Sequence, residues 1–198
     1  MAASRAAKMK LHDTALRAGH LLLARLPIEA GAVRLRALDP ADVEDFLAYR
    51  GDPEVARYQG WQPGGREAAL TFLRDAVPPP WDEGDWAQIG IARTEDDRLV
   101  GDIGLLREGV AQVQLGFTLS RGAQGRGWAR IAVGTCIDTL LVPLGIARLR
   151  GITDSRNTPS LRLLQRLGFE QTMREDLVFR GEPCTEITLE KVAGPDLR

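Results

Sequence analysis

The sequence predicts one α/β (α+β) domain, a central twisted sheet of mixed but mostly antiparallel strands with helices on both faces. Three observations lead there. Strand-like and helix-like patterns alternate from residue 33 to residue 191, with turn signals between them. The 198 residues, 44% of them hydrophobic, suit a single domain with a sizeable core. No internal repeat or low-complexity segment interrupts the pattern.

Residues 1–30 read as an N-terminal extension, an added helix or a loose leader. They are basic and acid-poor, with Arg5, Lys8, Lys10, Arg17 and Arg25 against Asp13 until Glu29. Their apolar run, Leu21 to Ala24, is too short for a signal core or a membrane span. The domain proper is expected over residues 31–191, opening with a strand at 33–38. Asp39 is the expected N-cap of a first helix, with Pro40 at its first position and Gly51 at its stop. After a turn at Pro53 to Tyr58, a second helix is expected from about Arg66 to Val77, ended by Pro78-Pro79-Pro80.

Strands at 86–93 and 98–106 follow, joined as a hairpin by the polar turn Thr94-Glu95-Asp96-Asp97. The next stretch organises the chain. Val113, Leu115, Phe117 and Leu119 fall on one face of a strand; Gln112, Gln114, Gly116 and Thr118 fall on the other. Beyond a glycine-rich turn the period becomes helical, with Ala129, Val133, Cys136 and Leu140 in one stripe of a helix running to about Leu141. A strand at about 147–153 precedes another helix, with Thr158 as its expected N-cap, Leu161, Leu164 and Leu167 on its core face, and Gly168 as its stop. Strands at about 170–179 and 185–191 close around Arg180-Gly181-Glu182-Pro183, and residues 192–198 read as a tail.

Several function classes are argued against by composition. Lys and Arg total 26 against 27 Asp and Glu, so no overall charge draws the chain to nucleic acid or membrane. Cys136 and Cys184 are too few for a disulfide framework and are expected as reduced thiols of a cytoplasmic protein. The only histidines, His12 and His20, precede the domain, which argues against a Ser-His triad and a His-rich metal site, so no metal is expected.

The turn Gln124-Gly125-Arg126-Gly127-Trp128-Ala129 carries the chemistry. Its glycines let the backbone bend and approach a ligand, and the following helix supplies free N–H groups and a positive dipole end suited to phosphate. A plain strand-to-helix connection would look similar locally. No Gly-Lys-Ser/Thr follows, so this is not a Walker loop, and the spacing is not G-x-G-x-x-G.

Gln124, Gly127 and Ala129, as Q-x-x-G-x-A, resemble the acyl-CoA pyrophosphate loop of the GNAT N-acetyltransferase superfamily. Asn157-Thr158-Pro159-Ser160 followed by Leu167-Gly168-Phe169 resembles that family's next motif, N-x-x-S ending in L-G-F. The opening from Val33 to Trp61 is similar to the branch containing ribosomal-protein N-terminal acetyltransferases. The three matches, in order, cover roughly residues 32 to 191.

The resemblance implies acetyl-CoA as cosubstrate and an amine as acceptor, either a protein N-terminus or a small molecule. The amides of Gly125 to Ala129, with Arg126, would hold the phosphates. The main chain of Phe117 and Leu119 would bond the pantetheine arm, one amide also polarising the thioester carbonyl. Asn157 would bond the pantetheine amides and Ser160 would protonate the leaving sulfur, although both residues also suit helix capping. Trp61, Trp81 and Trp86 would be candidates for the acceptor wall, or simply core and lid packing.

Two departures from the family stand out. Relatives often carry a tyrosine four positions after the Ser160 site; here Leu164 stands there. Relatives often carry a glutamate where this chain has Gln114, which takes no proton at neutral pH. Glu175, with Asp176 beside it, matches a carboxylate common in the branch and is the candidate base. An α-amine with pKa near 8 leaves a fair neutral fraction, so a water route is the alternative. Gln114 also keeps open a second reading, a catalytically silent acyl-CoA-binding sensor or partner module. Monomer and homodimer are both compatible with the sequence.

Overall fold

The computed structural model describes residues 20–60, 64–78 and 80–193. Eight strands form one sheet: β1 (Ile28–Ala30), β2 (Val33–Arg36), β3 (Trp86–Arg93), β4 (Leu99–Arg107), β5 (Gln112–Leu119), β6 (Arg148–Asp154), β7 (Glu170–Phe179) and β8 (Glu182–Val192). They lie in the order β1-β2-β3-β4-β5-β6-β8-β7. Every neighbouring pair is antiparallel except β5 and β6, which run parallel. That pair is joined by a helical crossover, as a parallel connection requires.

The helices divide between the faces. α1 (Val43–Arg50) and α3 (Arg66–Arg74) cover one face of the first half of the sheet, with the short α2 (Pro53–Ala56) between them in sequence. Phe46, Tyr49, Ala69 and Leu73 form a compact core there with Leu38 and Leu99. α4 (Trp128–Thr135) and α5 (Thr158–Arg166) cover the other face. Val133 and Leu164 of these helices, with Cys136 and Leu140 of the segment that continues α4, pack on Ile103, Leu115, Leu149 and Leu189 in the larger core. Each such side chain contributes about 1.5–3 kcal/mol when fully buried. Burial pushes the Cys136 thiol up to about 12, so it stays protonated.

Several elements differ from their sequence expectation for local reasons. Residues 28–30, placed in the leader by sequence, form an edge strand: Ile28 pairs with Leu35 and Ala30 with Val33, and Leu22 before them is fully buried. The first helix opens as a tight turn, Pro40–Asp42, before α1. Asp39 caps it as expected, accepting from the Ala41 amide at 2.8 Å, while Asp42 returns a bond to the Asp39 amide at 2.9 Å. This reciprocal box contributes about 1 kcal/mol.

α3 ends at Arg74, short of the expected Val77, because the next residues turn onto the sheet and the Ala76 carbonyl accepts from the Gln88 amide at 2.6 Å. The helix after the glycine turn is regular only to Thr135. Over Cys136–Leu141 it widens, with the Val142 amide reaching the Ile137 carbonyl five residues back. The N-cap of α5 is Asn157, not Thr158. Trp81, a sequence candidate for the acceptor wall, is fully buried in the larger core with its indole donating to the Asp85 carbonyl at 3.1 Å. It packs and does not line a site. β8 begins at Glu182, earlier than expected, since Arg180 and Gly181 alone make the turn.

Candidate active site

The two parallel strands define the site. β5 and β6 pair only from Gln112↔Arg148 to Leu115↔Gly151. Beyond that level β5 stays bonded to β4, from Gly116↔Gly104 to Leu119↔Gly101, while β6 stays bonded to β8, from Ile152↔Thr188 to Asp154↔Glu186. The sheet therefore opens between Gly116–Leu119 and Ile152–Asp154, leaving one edge of each strand without a strand partner. Both α4 and α5 begin just after the open ends, so their N-termini flank the gap. A gap at the carboxyl ends of parallel strands is where open α/β sheets receive ligands.

The turn entering α4 is shaped for an anion. Gly125 and Gly127 take φ +75° and +77°, left-handed values that an L side chain resists, and nothing lies within 4 Å of the space a Cβ would occupy at either. The first helical bond is Ile131 to Gly127 at 3.1 Å, so the Trp128, Ala129 and Arg130 amides precede it and point out of the helix end. Gln124 braces the turn, its Nε2 donating to the Leu119 carbonyl at 3.0 Å. Arg126 donates to the Gly122 carbonyl at 3.1 Å and stacks 5.1 Å from the Trp128 ring.

A cavity of ≈ 390 Å³ beside this turn is lined by Arg93, Arg98, Arg121 and Arg126. Arg93 pairs with Asp96, Arg98 with Asp45 at 2.7 Å, and Arg121 lies 3.9 Å from Asp52. Arg126 has no carboxylate partner among the described residues. The turn, the helix end and Arg126 together fit a pyrophosphate, and the open edge of β5 fits an extended amide-bearing arm, so the site suits acyl-CoA. Arg121, a second arginine of the same glycine-rich loop, lines the cavity beside Arg126.

On the α5 side, the Asn157 Oδ1 accepts from the Ser160 amide at 3.4 Å and caps the helix that follows the open end of β6. Leu164 is buried, its side chain 2.8 Å from the space a Cβ would fill at Gly151. The position that carries a tyrosine in relatives is thus closed by packing.

The face under α1 and α3 carries the remaining candidates. Cross-strand pairing sets three rows over β3, β4 and β5: Trp86–Leu106–Gln114, Gln88–Gly104–Gly116 and Gly90–Asp102–Thr118. Trp86 and Gln114 thus share one row, at a level where β5 is still paired with β6 through Gln114↔Arg150. Trp61 lies outside the described residues. The Asp102 row is sealed by an ion pair: Arg50 reaches both Asp102 oxygens at 2.6 Å, and the Tyr49 hydroxyl donates to Oδ2 at 2.8 Å. Burial and the Asp102 charge hold the Tyr49 phenol well above its ordinary value, so it stays a neutral donor. Arg50 also donates to the Gln59 side chain at 3.2 Å, and Arg180 at the tip of the β7–β8 hairpin donates to the Gln59 carbonyl at 2.6 Å. This chain of bonds ties the hairpin across to α1.

Glu175 lies on the same face but in the other half of the sheet. It pairs across strands with Glu186, which pairs in turn with Asp154. Asp154 is held below the usual carboxylate range by its bonds to Arg156. Burial, helped by the Glu175 charge, raises Glu186 above its ordinary value. Three strand spacings, about 14 Å, separate β7 from β5, so Glu175 is not beside Gln114. Glu186, unremarked in the sequence, stands between Glu175 and Asp154, the last of which lies on the gap's own edge, and only the strand pairing reveals this order.

Comparison with known proteins agrees with this geometry. The model of the acetyltransferase (GNAT) domain family matches residues 32–170, well over half of the chain. The uncharacterized N-acetyltransferase p20 of Bacillus licheniformis is 28% identical over 142 residues, covering 69% of this chain and 78% of the relative. The fold resembles a GNAT-family acetyltransferase from Bacillus anthracis, with a TM-score of 0.74 at 17% identity over 84% of this chain and 98% of that one. It also resembles a spermidine N-acetyltransferase from Vibrio cholerae solved with CoA and spermine, with a TM-score of 0.70 at 14% identity over 82% and 96% of the two chains. With the sheet opened between its two parallel strands and a glycine turn at the mouth, the chain belongs to the GNAT family of acetyltransferases.

Proposed function

We propose that this protein is an acetyl-CoA-dependent N-acetyltransferase that acts on a primary amine, a protein N-terminus or a small molecule, by direct attack on the thioester. The observation that carries this reading is the gap between β5 and β6, with the Gly125–Gly127 turn and two helix N-termini at its mouth. Acetyl-CoA would supply the activated acetyl group. The amides of Gly125 to Ala129 and the Arg126 guanidinium would hold its phosphates, and Gln124 would keep the turn in shape. The open main chain of Phe117 and Leu119 would align the pantetheine arm, with an amide polarising the carbonyl. Asn157 would fix the arm from the α5 side and Ser160 would give a proton to the departing sulfur.

The acceptor would enter on the face of Trp86 and Gln114. Gln114 cannot take its proton. Glu175 is the carboxylate that the family resemblance nominates, acting across the gap through water, with Glu186 between it and β6. An α-amine, partly neutral at physiological pH, needs little help.

Titration calorimetry with acetyl-CoA and a free-thiol assay over an amine panel test this reading. Acetyl-CoA should bind the wild type, and Gly127→Asp should weaken it by about 100-fold or more, because bulk and negative charge enter the phosphate cradle. Absence of wild-type binding defeats the proposal. Binding without thiol release from any amine would leave the silent acyl-CoA-binding module, the reading that Gln114 keeps open.

A further inference from the structure

We propose that the Gln88 carboxamide binds the acceptor and selects amines that carry an amide group beside the reacting nitrogen, such as aminoacyl amides and peptides. This rests on the acetyltransferase reading of the same site and narrows its substrate class.

Gln88 sits in the middle row of the acceptor face, level with Gly104 and Gly116. The residue is only 9% exposed, yet its Oε1 is sealed from water and has no hydrogen-bond partner among the described residues. A buried carboxamide oxygen left unbonded is unfavourable, and native proteins rarely keep one without a use. Its amide lies over Gly104: a Cβ there would stand 2.9 Å from Nε2 and 3.1 Å from Oε1. Gly104 thus leaves the room in which the carboxamide lies, directed from β3 toward β5.

Beyond it the space above Gly116 is open, with nothing within 4 Å of where a Cβ would be. Gly116 is also the first β5 residue past the end of the pairing with β6, so this space adjoins the open strand edge where the thioester is placed. Gly116 is about 10 Å from Gln88 along the row, two strand spacings, of which the Gln88 side chain spans the first. Trp86 lies on the same glycine, its ring 3.1 Å from the Gly104 Cβ position and 44% exposed, and an acceptor would reach the sealed Oε1 only with a shift of such a neighbour.

A carboxamide has one acceptor end and one donor end. The unmet end is the acceptor Oε1, so the group it selects must present an N–H, which an amide one carbon from the reacting nitrogen supplies at a fixed place. An ester in that place supplies no N–H and would leave Oε1 unbonded. The neighbouring charges do not compete for this role, since Asp102 is bound by Arg50 and Tyr49 in the adjoining row.

The test compares alaninamide with alanine methyl ester, two α-amines that differ in the N–H that Oε1 would accept. The wild type should favour the amide by about tenfold in kcat/KM, since a site built to bond a polar group rejects the analogue lacking it. Gln88→Leu should lower kcat/KM for the amide to the level of the ester, mainly through KM, and abolish the preference. It should leave acetyl-CoA affinity unchanged and raise Tm, because an unmet buried amide is replaced by an apolar chain. Gly104→Ala, which crowds the carboxamide, should lose the same preference with Gln88 in place. Equal use of the two substrates by the wild type, or a preference that survives in Gln88→Leu, overturns the proposal. If no amine is acetylated, the acetyltransferase reading has failed on its own. Gln88 is then judged by NMR titration of an Ala-started peptide amide into the CoA complex, where equal affinity in wild type and Gln88→Leu overturns it.

Discussion

One face of the sheet shows two solutions to the placing of charge. Over β3, β4 and β5 the face is roofed by α1 and α3, and its one carboxylate, Asp102, is 1% exposed and spent on Arg50. What else faces the roof is neutral: Gln88, Gly90, Gly104, Gln114, Gly116 and Thr118. Over β6, β8 and β7 no helix covers the face among the described residues, and Asp154, Glu186 and Glu175 stand in one row across three strands. Burial grades the contrast: the charge under the roof is fully paired, while across the gap Asp154 is paired with Arg156, Glu186 is half-buried and Glu175 is exposed to water. The difference teaches where protons can go. The half that adjoins the β5 edge carries neutral hydrogen-bonding groups, and the row of carboxylates lies across the gap.

Breaking the sealed pair should have the largest effect. Asp102→Ala leaves the Arg50 guanidinium buried beside Tyr49 and Phe46 without its counter-charge. The loss expected is about 3–5 kcal/mol, or a fall on the order of 10 °C in Tm for a domain of this size. Thermal unfolding measures it, and the double replacement Asp102→Leu with Arg50→Met should recover much of the loss. A Tm unchanged in Asp102→Ala would show that Arg50 finds water there.

A smaller effect is expected from moving the base between the halves. Gln114→Glu puts a carboxylate under the roof, in the row of Trp86, and should extend the kcat/KM profile to lower pH. Glu175→Gln removes one from the open half. If water and the amine's own basicity carry the proton, activity stays within a few fold and rises with pH toward the acceptor pKa. A large loss at every pH, with folding and acetyl-CoA binding intact, would establish Glu175 as the base.

The smallest expected change is in stability at the carboxylate row. Glu186 has its folded pKa raised, by burial first and by Glu175 second. Its folded state therefore favours the protonated form: that contribution is fully present below the unfolded pKa and is lost as pH rises through the folded value. Glu186→Gln should then raise Tm slightly at pH 7, and the gain should vanish in acid. Glu175→Gln, by removing the like charge, should yield part of the same gain.

The order of these effects follows what could be read without the fold. The turn from Gln124 to Ala129 was legible because glycines at 125 and 127 and a helix onset are local features, and the structure gives both glycines left-handed φ as such a turn requires. The face of Val113, Leu115 and Leu119 was legible from its period of two, and these three side chains are buried. The Asn157–Ser160 cap was visible as capping chemistry, although the cap residue falls one position before the expected Thr158. Trp81 misled, because a tryptophan suits a wall and a core equally well, and only packing distinguishes them.

Sequence alone determined those features whose cause lies within a few residues: helix caps, strand alternation and the left-handed glycine turn before α4. Tertiary structure decided the rest. Asp102 and Arg50 are 52 residues apart in sequence, and nothing local marks their partnership. The Gln88–Gly104–Gly116 row and the Glu175–Glu186–Asp154 row each join three strands through register, which is fixed by the whole sheet. The gap itself exists because β5 holds to β4 and β6 holds to β8 past Leu115 and Gly151, a competition between pairings that no single segment encodes.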